Sequence, residues 1–213
     1  MDELAKQFKQ KTGHTIVVAY GSTGKHYAQI KNGAPFDLFF AADTLRPFLL
    51  EQEGLTIKGS RFTYAVGQLV LWGPNEQQVD SAMAVFLINN AAHIAIANPK
   101  LAPYGKAAME VLQRLNLWDT IKDKLVRGEN ITQAFQYVVS GSAETGFVAF
   151  SQIINTKNGK KGSFWNISQN LYSPIRQQAV LLKENSVVQQ FIHFVKSDTG
   201  QQIIKSFGYE TGE

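Results

Sequence analysis

Apolar and polar positions change period along this chain, and the changes mark out its elements. Leu4, Phe8 and Lys11 fall along one side of a helix, and Thr12-Gly13 supplies its stop. Residues 15–20 are short and β-branched, which predicts a strand. Gly21-Ser22-Thr23-Gly24 reads as a turn. Residues 25–32 return to helical spacing and end at Gly33, and residues 36–41 form an apolar run of buried-strand type. Strand, loop, helix and strand in this rhythm predict a parallel sheet with crossover helices.

The rhythm returns later. Residues 93–97 predict a strand, 98–104 a loop and 105–115 a helix. Residues 124–126 predict a short strand, 131–140 a helix and 146–150 another strand. Two long apolar segments, 62–72 and 175–182, bracket this block. That arrangement predicts one domain inserted into another, with the chain crossing and hinging near Trp72 and Tyr172. Helices over 187–197 and 201–207 then close the first domain. The expected division is residues 1–72 with 172–213 as domain I, and 73–171 as the inserted domain II. The chain opens on a helix where such sheets open on a strand, so a first strand and its loop are expected to be missing ahead of Met1.

Composition narrows the function classes. Apolar residues at 44% and aromatics at 11% exclude a disordered chain and suffice for a core. The longest apolar stretches are strand-sized, far short of the ~20 residues a bilayer span needs. Twenty-one Lys and Arg against seventeen Asp and Glu give +4, too mild and dispersed to predict a nucleic-acid surface. Without cysteine there is no thiol nucleophile, disulfide or thiolate metal site. The four histidines, at 14, 26, 93 and 193, show no ligand spacing, so no metal held by protein side chains is expected. There is no Gly-x-Ser-x-Gly elbow and no His-Glu-x-x-His, and the carboxylates are scattered. No catalytic residue is predicted, and the chain is read as a binding protein rather than an enzyme.

The chemistry that remains lies in loops that end a strand and open a helix. Ligands of open α/β sheets bind beyond the carboxyl ends of strands. Gly21-Ser22-Thr23-Gly24 offers two hydroxyls and the amides of a helix start, a place for an anion. The plainer reading is a cap and a tight turn. Two prolines stiffen residues 98–105, which deliver Tyr104 to a helix start. Residues 128–132 open another helix, with Asn130 as its cap. Taken singly each is ordinary. Taken together, helix starts from both domains predict a cleft that binds an anion with neutral donors. Lys25 could add charge beside the first loop.

Several of these segments resemble the periplasmic molybdate-binding proteins of ABC transporters. They are Thr12-Gly13-His14, Gly21-Ser22-Thr23-Gly24, Gly33-Ala34-Pro35-x-Asp37-Leu38-Phe39 with Ala42-Asp43, and Ser60-Arg61-Phe62-Thr63-Tyr64-Ala65-Val66-Gly67. Asn98-Pro99 through Pro103-Tyr104-Gly105 and Glu144-Thr145-Gly146-Phe147-Val148-Ala149 extend the likeness over nearly the whole chain. The resemblance implies an α/β fold of the type II periplasmic binding protein class, two α/β domains joined by two hinge crossings. It implies capture of molybdate or tungstate in the interdomain cleft and delivery to a membrane permease, with no cofactor and no nucleic acid. A monomer is expected, with a neighbouring chain as the alternative source of the absent strand.

By position the resemblance makes Ser22, Thr23, Tyr104 and Ile131 the oxyanion ligands. Thr23 matches a serine, and Ile131 a valine that gives its amide. Some members use a tyrosine in the Gly-x-Val-Tyr strand, where this chain has Ala149. The family's opening strand carries a further anion contact, so weaker binding than in a longer relative is expected. A periplasmic location follows from the family, since residues 1–6 carry no basic-then-apolar signal. The alternatives are a binding protein for another anion, such as sulfate, or the ligand-sensing domain of a regulator.

Overall fold

The computed structural model describes residues 1–75, 80–154 and 162–212. The chain opens with α1 (Asp2–Thr12), α2 (Thr23–Lys31), β1 (Leu38–Ala41), α3 (Leu45–Gln52) and β2 (Phe62–Gly67). It continues through β3 (Leu69–Gly73), α4 (Ser81–Asn90), β4 (Ile94–Ala97), α5 (Pro103–Arg114) and α6 (Trp118–Ile121). Then come β5 (Leu125–Gly128), α7 (Ile131–Val139), β6 (Thr145–Ala149), α8 (Phe150–Ile154) and β7 (Ser163–Asn166). It ends with β8 (Ile175–Leu181), α9 (Ser186–Lys196) and α10 (Asp198–Ser206).

Two compact units result. The first comprises Met1–Val66 with Arg176–Glu213, and the second Gly67–Ile175. The chain passes between them at the end of β2 and the start of β8. The sequence reading set these crossings near Trp72 and Tyr172, inside what the contacts define as the second unit.

In the first unit a three-stranded sheet runs β1-β8-β2, with β1 antiparallel to β8. Helix α1 forms as its spacing predicts. Asp2 and Glu3 in its first turn and Lys9 and Lys11 in its last complement the helix dipole. Gly13 ends it at φ 77°, a left-handed conformation that glycine adopts without a Cβ penalty. Leu4 and Phe8 are buried, and the Phe8 ring meets Phe191 and Phe194 of α9 at 5.2 and 5.8 Å. A second cluster places Ile30 of α2 and Leu50 of α3 with Phe39, Ala41 and Val180 of the sheet.

The second unit is a five-stranded sheet in the order β5-β4-β6-β3-β7. Side-chain alternation separates its two faces. Ile94, Ile96, Leu69, Leu71 and Phe147 belong to the cluster covered by α4 and α5. Ala95, Ala97, Val70, Trp72 and Val148 belong to the cluster covered by α7. Helices on both faces explain why β4 and β6 are buried at every position.

Three sequence expectations fail here. Residues 15–20 form no strand: Val17 is 91% exposed, and β propensity without a ladder does not make one. The tip of this segment is held instead by the Tyr20 hydroxyl, which donates to the Asp2 carboxylate. The segment 62–72 is two strands, β2 and β3, in different sheets. The break falls at the polar Gln68, whose carbonyl accepts from the Phe150 amide at 3.0 Å, while the Leu69 amide donates to the Tyr172 hydroxyl at 3.1 Å. The sheets are also not purely parallel. β4 runs parallel to β5 and β6, but β3 is antiparallel to β6 and β7.

Candidate functional site

The start of α2 is the candidate site of the first unit. Ser22 is its cap, in extended conformation, and its Oγ accepts from the Lys25 amide at 3.3 Å. Thr23 is the first helical residue, and its Oγ1 accepts from the Ala42 amide just past β1 at 3.2 Å. Each hydroxyl oxygen therefore receives a backbone N–H, which leaves its own proton to be donated elsewhere. The amides of Thr23 and Gly24 have no acceptor among the described residues, as the first turn of a helix dictates. Ser22 is exposed and Thr23 half-buried; Lys25 is exposed.

A carboxylate next to this loop would repel an anion, and Asp43 follows Ala42 directly. It is buried, but its charge is matched at once. Its Oδ2 pairs with Arg46 Nη1 at 2.8 Å, and its Oδ1 accepts from the Arg46 amide at 2.9 Å. Burial, with smaller contributions from Tyr209 and Asp43, pushes the Tyr64 phenol far up, so it stays neutral and donates to Gln177 at 2.8 Å.

The candidate site of the second unit is built on two neighbouring parallel strands. Ala97 and Gly128 are paired at the ends of β4 and β5, and the Asn98 amide extends the ladder to the Gly128 carbonyl at 2.7 Å. Both strands then turn into helices at the same edge of the sheet. Asn98 folds its loop, its Oδ1 accepting from the Lys100 amide at 3.0 Å and its carbonyl from the amides of Leu101 and Ala102. Pro103 opens α5, a favoured position because its missing N–H is not needed there. Tyr104 follows in the first turn. It is buried, and belongs to the core cluster that also holds residues of α4 and the sheet. Gly105 lets the helix begin flush on the strand, since a Cβ there would stand 2.2 Å from the Ala97 carbonyl oxygen.

Asn130 caps α7 as its residue type suggests. Its Oδ1 accepts from the Gln133 amide at 2.9 Å, and the Gln133 side chain accepts from the Glu129 amide at 2.6 Å. The Ile131 amide is left without an acceptor among the described residues. Gln152 was not singled out by the sequence. It bridges the end of β6 to this helix start, accepting from the Ala149 amide at 3.0 Å and donating to the Ile131 carbonyl at 3.3 Å. No periodicity flags it, because its role depends on β6 lying beside β4. Ala149 is 2% exposed, its methyl in the core.

Each unit thus carries its predicted residues at helix starts: Ser22 and Thr23 in the first, Tyr104 and Ile131 in the second. Within the second unit Tyr104 and Ile131 share one sheet edge. All the donors are uncharged amides and hydroxyls, a set suited to an anion and not to a metal cation. Among the described residues no group of His, Asp and Glu could hold a metal ion.

Over residues 1–210 the chain matches the family model of the bacterial extracellular solute-binding proteins. It is 48% identical over 212 residues to the molybdate-binding protein ModA of Azotobacter vinelandii, covering 98% of this chain and 84% of that one. Identity to the ModA of Rhodobacter capsulatus is 45%, over 98% of this chain and 82% of that one. The solved structure of the Azotobacter vinelandii periplasmic molybdate-binding protein matches with a TM-score of 0.89 at 42% identity, covering 100% of this chain and 94% of that chain.

Proposed function

Because the chain belongs to the bacterial extracellular solute-binding protein family, we propose that it captures molybdate for an ABC importer and delivers it to the membrane permease. The observation that carries this reading is 48% identity to a molybdate-binding protein across 98% of the chain. It is a transport component and not an enzyme. Its working compartment is the periplasm, and tungstate, with the same charge and tetrahedral shape, is its second ligand. It works as a monomer.

The proposed ligands are the hydroxyls of Ser22 and Thr23 and the amides of Tyr104 and Ile131. Tyr104 serves through its main chain, since its ring belongs to the core. Neutral donors hold a dianion well when water is removed, because hydrogen bonds strengthen as the local dielectric falls. Helix dipoles add to the attraction. Selection among dianions of equal charge then depends on size. A donor set spaced for molybdate leaves the smaller sulfate with long contacts, and each unmade hydrogen bond costs ~1–3 kcal/mol. A few such contacts amount to several orders of magnitude.

A thermal-shift screen of oxyanions tests this. Molybdate and tungstate are expected to raise the melting temperature by mass action at concentrations where sulfate and phosphate do not. Equal shifts with all four anions, or with none, contradict the reading.

A further inference from the structure

His26 is half-buried in the second turn of α2, and the site described above leaves it without a role. Its ring Nδ1 lies 3.0 Å from Gln29 Oε1, and its edge meets the Phe36 ring at 5.6 Å and 84°. With Gln29 Oε1 as acceptor, Nδ1 is the donor of that bond. That Nε2 is buried and has no hydrogen-bond partner among the described residues. Burying a ring nitrogen in this way works against stability. The fold uses the ring through Gln29 and Phe36 and leaves Nε2 unused.

The ring also stands against the main chain of the oxyanion loop. A Cβ built on Gly21 would stand 2.8 Å from Nε2, 3.0 Å from Cε1 and 3.4 Å from Cδ2 of His26. Gly21 is not among the residues with positive φ, so its backbone does not demand glycine. The imidazole occupies the place that a side chain at position 21 would take, so to admit one either the ring or the loop must shift. His26 is also one helical turn from the cap, its amide donating to the Ser22 carbonyl at 3.1 Å. The ring is thus braced by Gln29 and Phe36, and it bears on the residue directly before the two hydroxyl ligands.

We propose that His26 is a positioning residue for oxyanion binding: its ring interlocks with Gly21 and fixes where the Ser22 and Thr23 hydroxyls stand. This rests on the oxyanion reading of the α2 start. The interlock acts through geometry, so its signature is selectivity as well as affinity. A loop that has moved by a few tenths of an ångström no longer distinguishes a large dianion from a small one.

The test is a double-mutant cycle read by titration calorimetry with molybdate and with sulfate. Gly21→Ala is expected to weaken molybdate binding about ten-fold and to narrow the molybdate-to-sulfate ratio, as direct contacts couple. His26→Asn keeps a polar group toward Gln29 but withdraws the ring edge. In that background Gly21→Ala is expected to cost no more than about two-fold, the strong non-additivity of residues in contact. Melting curves check that each variant folds. If the unaltered protein binds molybdate and the two substitutions add independently, or if Gly21→Ala shifts only the melting temperature, the interlock is overturned and the oxyanion reading stands. If the unaltered protein binds no molybdate, both are overturned.

Discussion

The Thr23 hydroxyl accepts a hydrogen bond from the Ala42 amide at 3.2 Å, which fastens the start of α2 to the end of β1. That bond does not use the hydroxyl proton, which can be donated to a second partner, and an oxyanion only accepts. Thr23→Ala is therefore expected to weaken molybdate binding about 10- to 100-fold, the range for a hydrogen bond to a charged group. Thr23→Ser keeps both roles and is expected to stay within about three-fold of the parent. Calorimetry showing undiminished affinity in the alanine variant would remove Thr23 from the site.

Ile131 permits a substitution that deletes one main-chain donor, along with the side chain's packing against both core clusters of the second unit. It is the first residue of α7, where proline is tolerated, and Asn130 before it is extended at φ −147° and ψ 172°, as a residue preceding proline prefers. Ile131→Pro should leave the helical content intact by circular dichroism. Molybdate affinity should fall about 10- to 100-fold, since the missing N–H cannot be replaced by a side chain. Unchanged affinity with an intact helix would exclude the Ile131 amide as a ligand.

Gly105 holds α5 against β4 and so sets where Tyr104 begins. A Cβ there would stand 2.2 Å from the Ala97 carbonyl oxygen, in a contact between two pieces of main chain. Gly105→Ala is expected to destabilise the protein by about 3 kcal/mol or more, read as a lower urea midpoint. A midpoint equal to the parent's would contradict the close approach.

Glu144 lies at the other edge of the second sheet. Its carboxylate accepts from the His93 amide at 2.8 Å, and this bond is the main reason its pKa falls below the ordinary 4.5. A carboxyl lowered in the folded state adds stability that is present above the unfolded-state pKa and is lost as pH falls through the folded-state pKa. Glu144→Gln is therefore expected to be less stable than the parent at neutral pH. The gap should close as the solution is acidified below pH 4.5 and further. A gap of the same size at both ends of the titration would assign the effect to packing.

Local signals in the sequence carried α1, α2, α5, α7, α9 and α10, while α3, α4 and the short α6 and α8 were not read from it. The Leu4 and Phe8 spacing with Gly13, the Ser22 and Asn130 caps, and Pro103 before Tyr104 each act within one or two turns, so each was legible without a fold. Strands fared less well because a strand exists only through its neighbour. Residues 15–20 have the right composition and no ladder, and the apolar run through 62–72 hides a change of sheet at Gln68. The antiparallel β3 and β7 likewise leave no local trace. The candidate ligands were legible as residue types at helix starts. Gln152, which joins the ends of β6 and α7, and the fit of His26 against Gly21 were not, because both depend on which elements lie side by side.

The central claim is that uncharged amides and hydroxyls, not surface cations, hold the oxyanion. Anomalous diffraction from a crystal grown with sodium molybdate tests it most directly, since molybdenum locates itself. The account predicts one strong peak, with oxygens within about 3.2 Å of the Ser22 and Thr23 hydroxyls and the Tyr104 and Ile131 amides. A peak seated instead among lysines and arginines, away from these four residues, would contradict it.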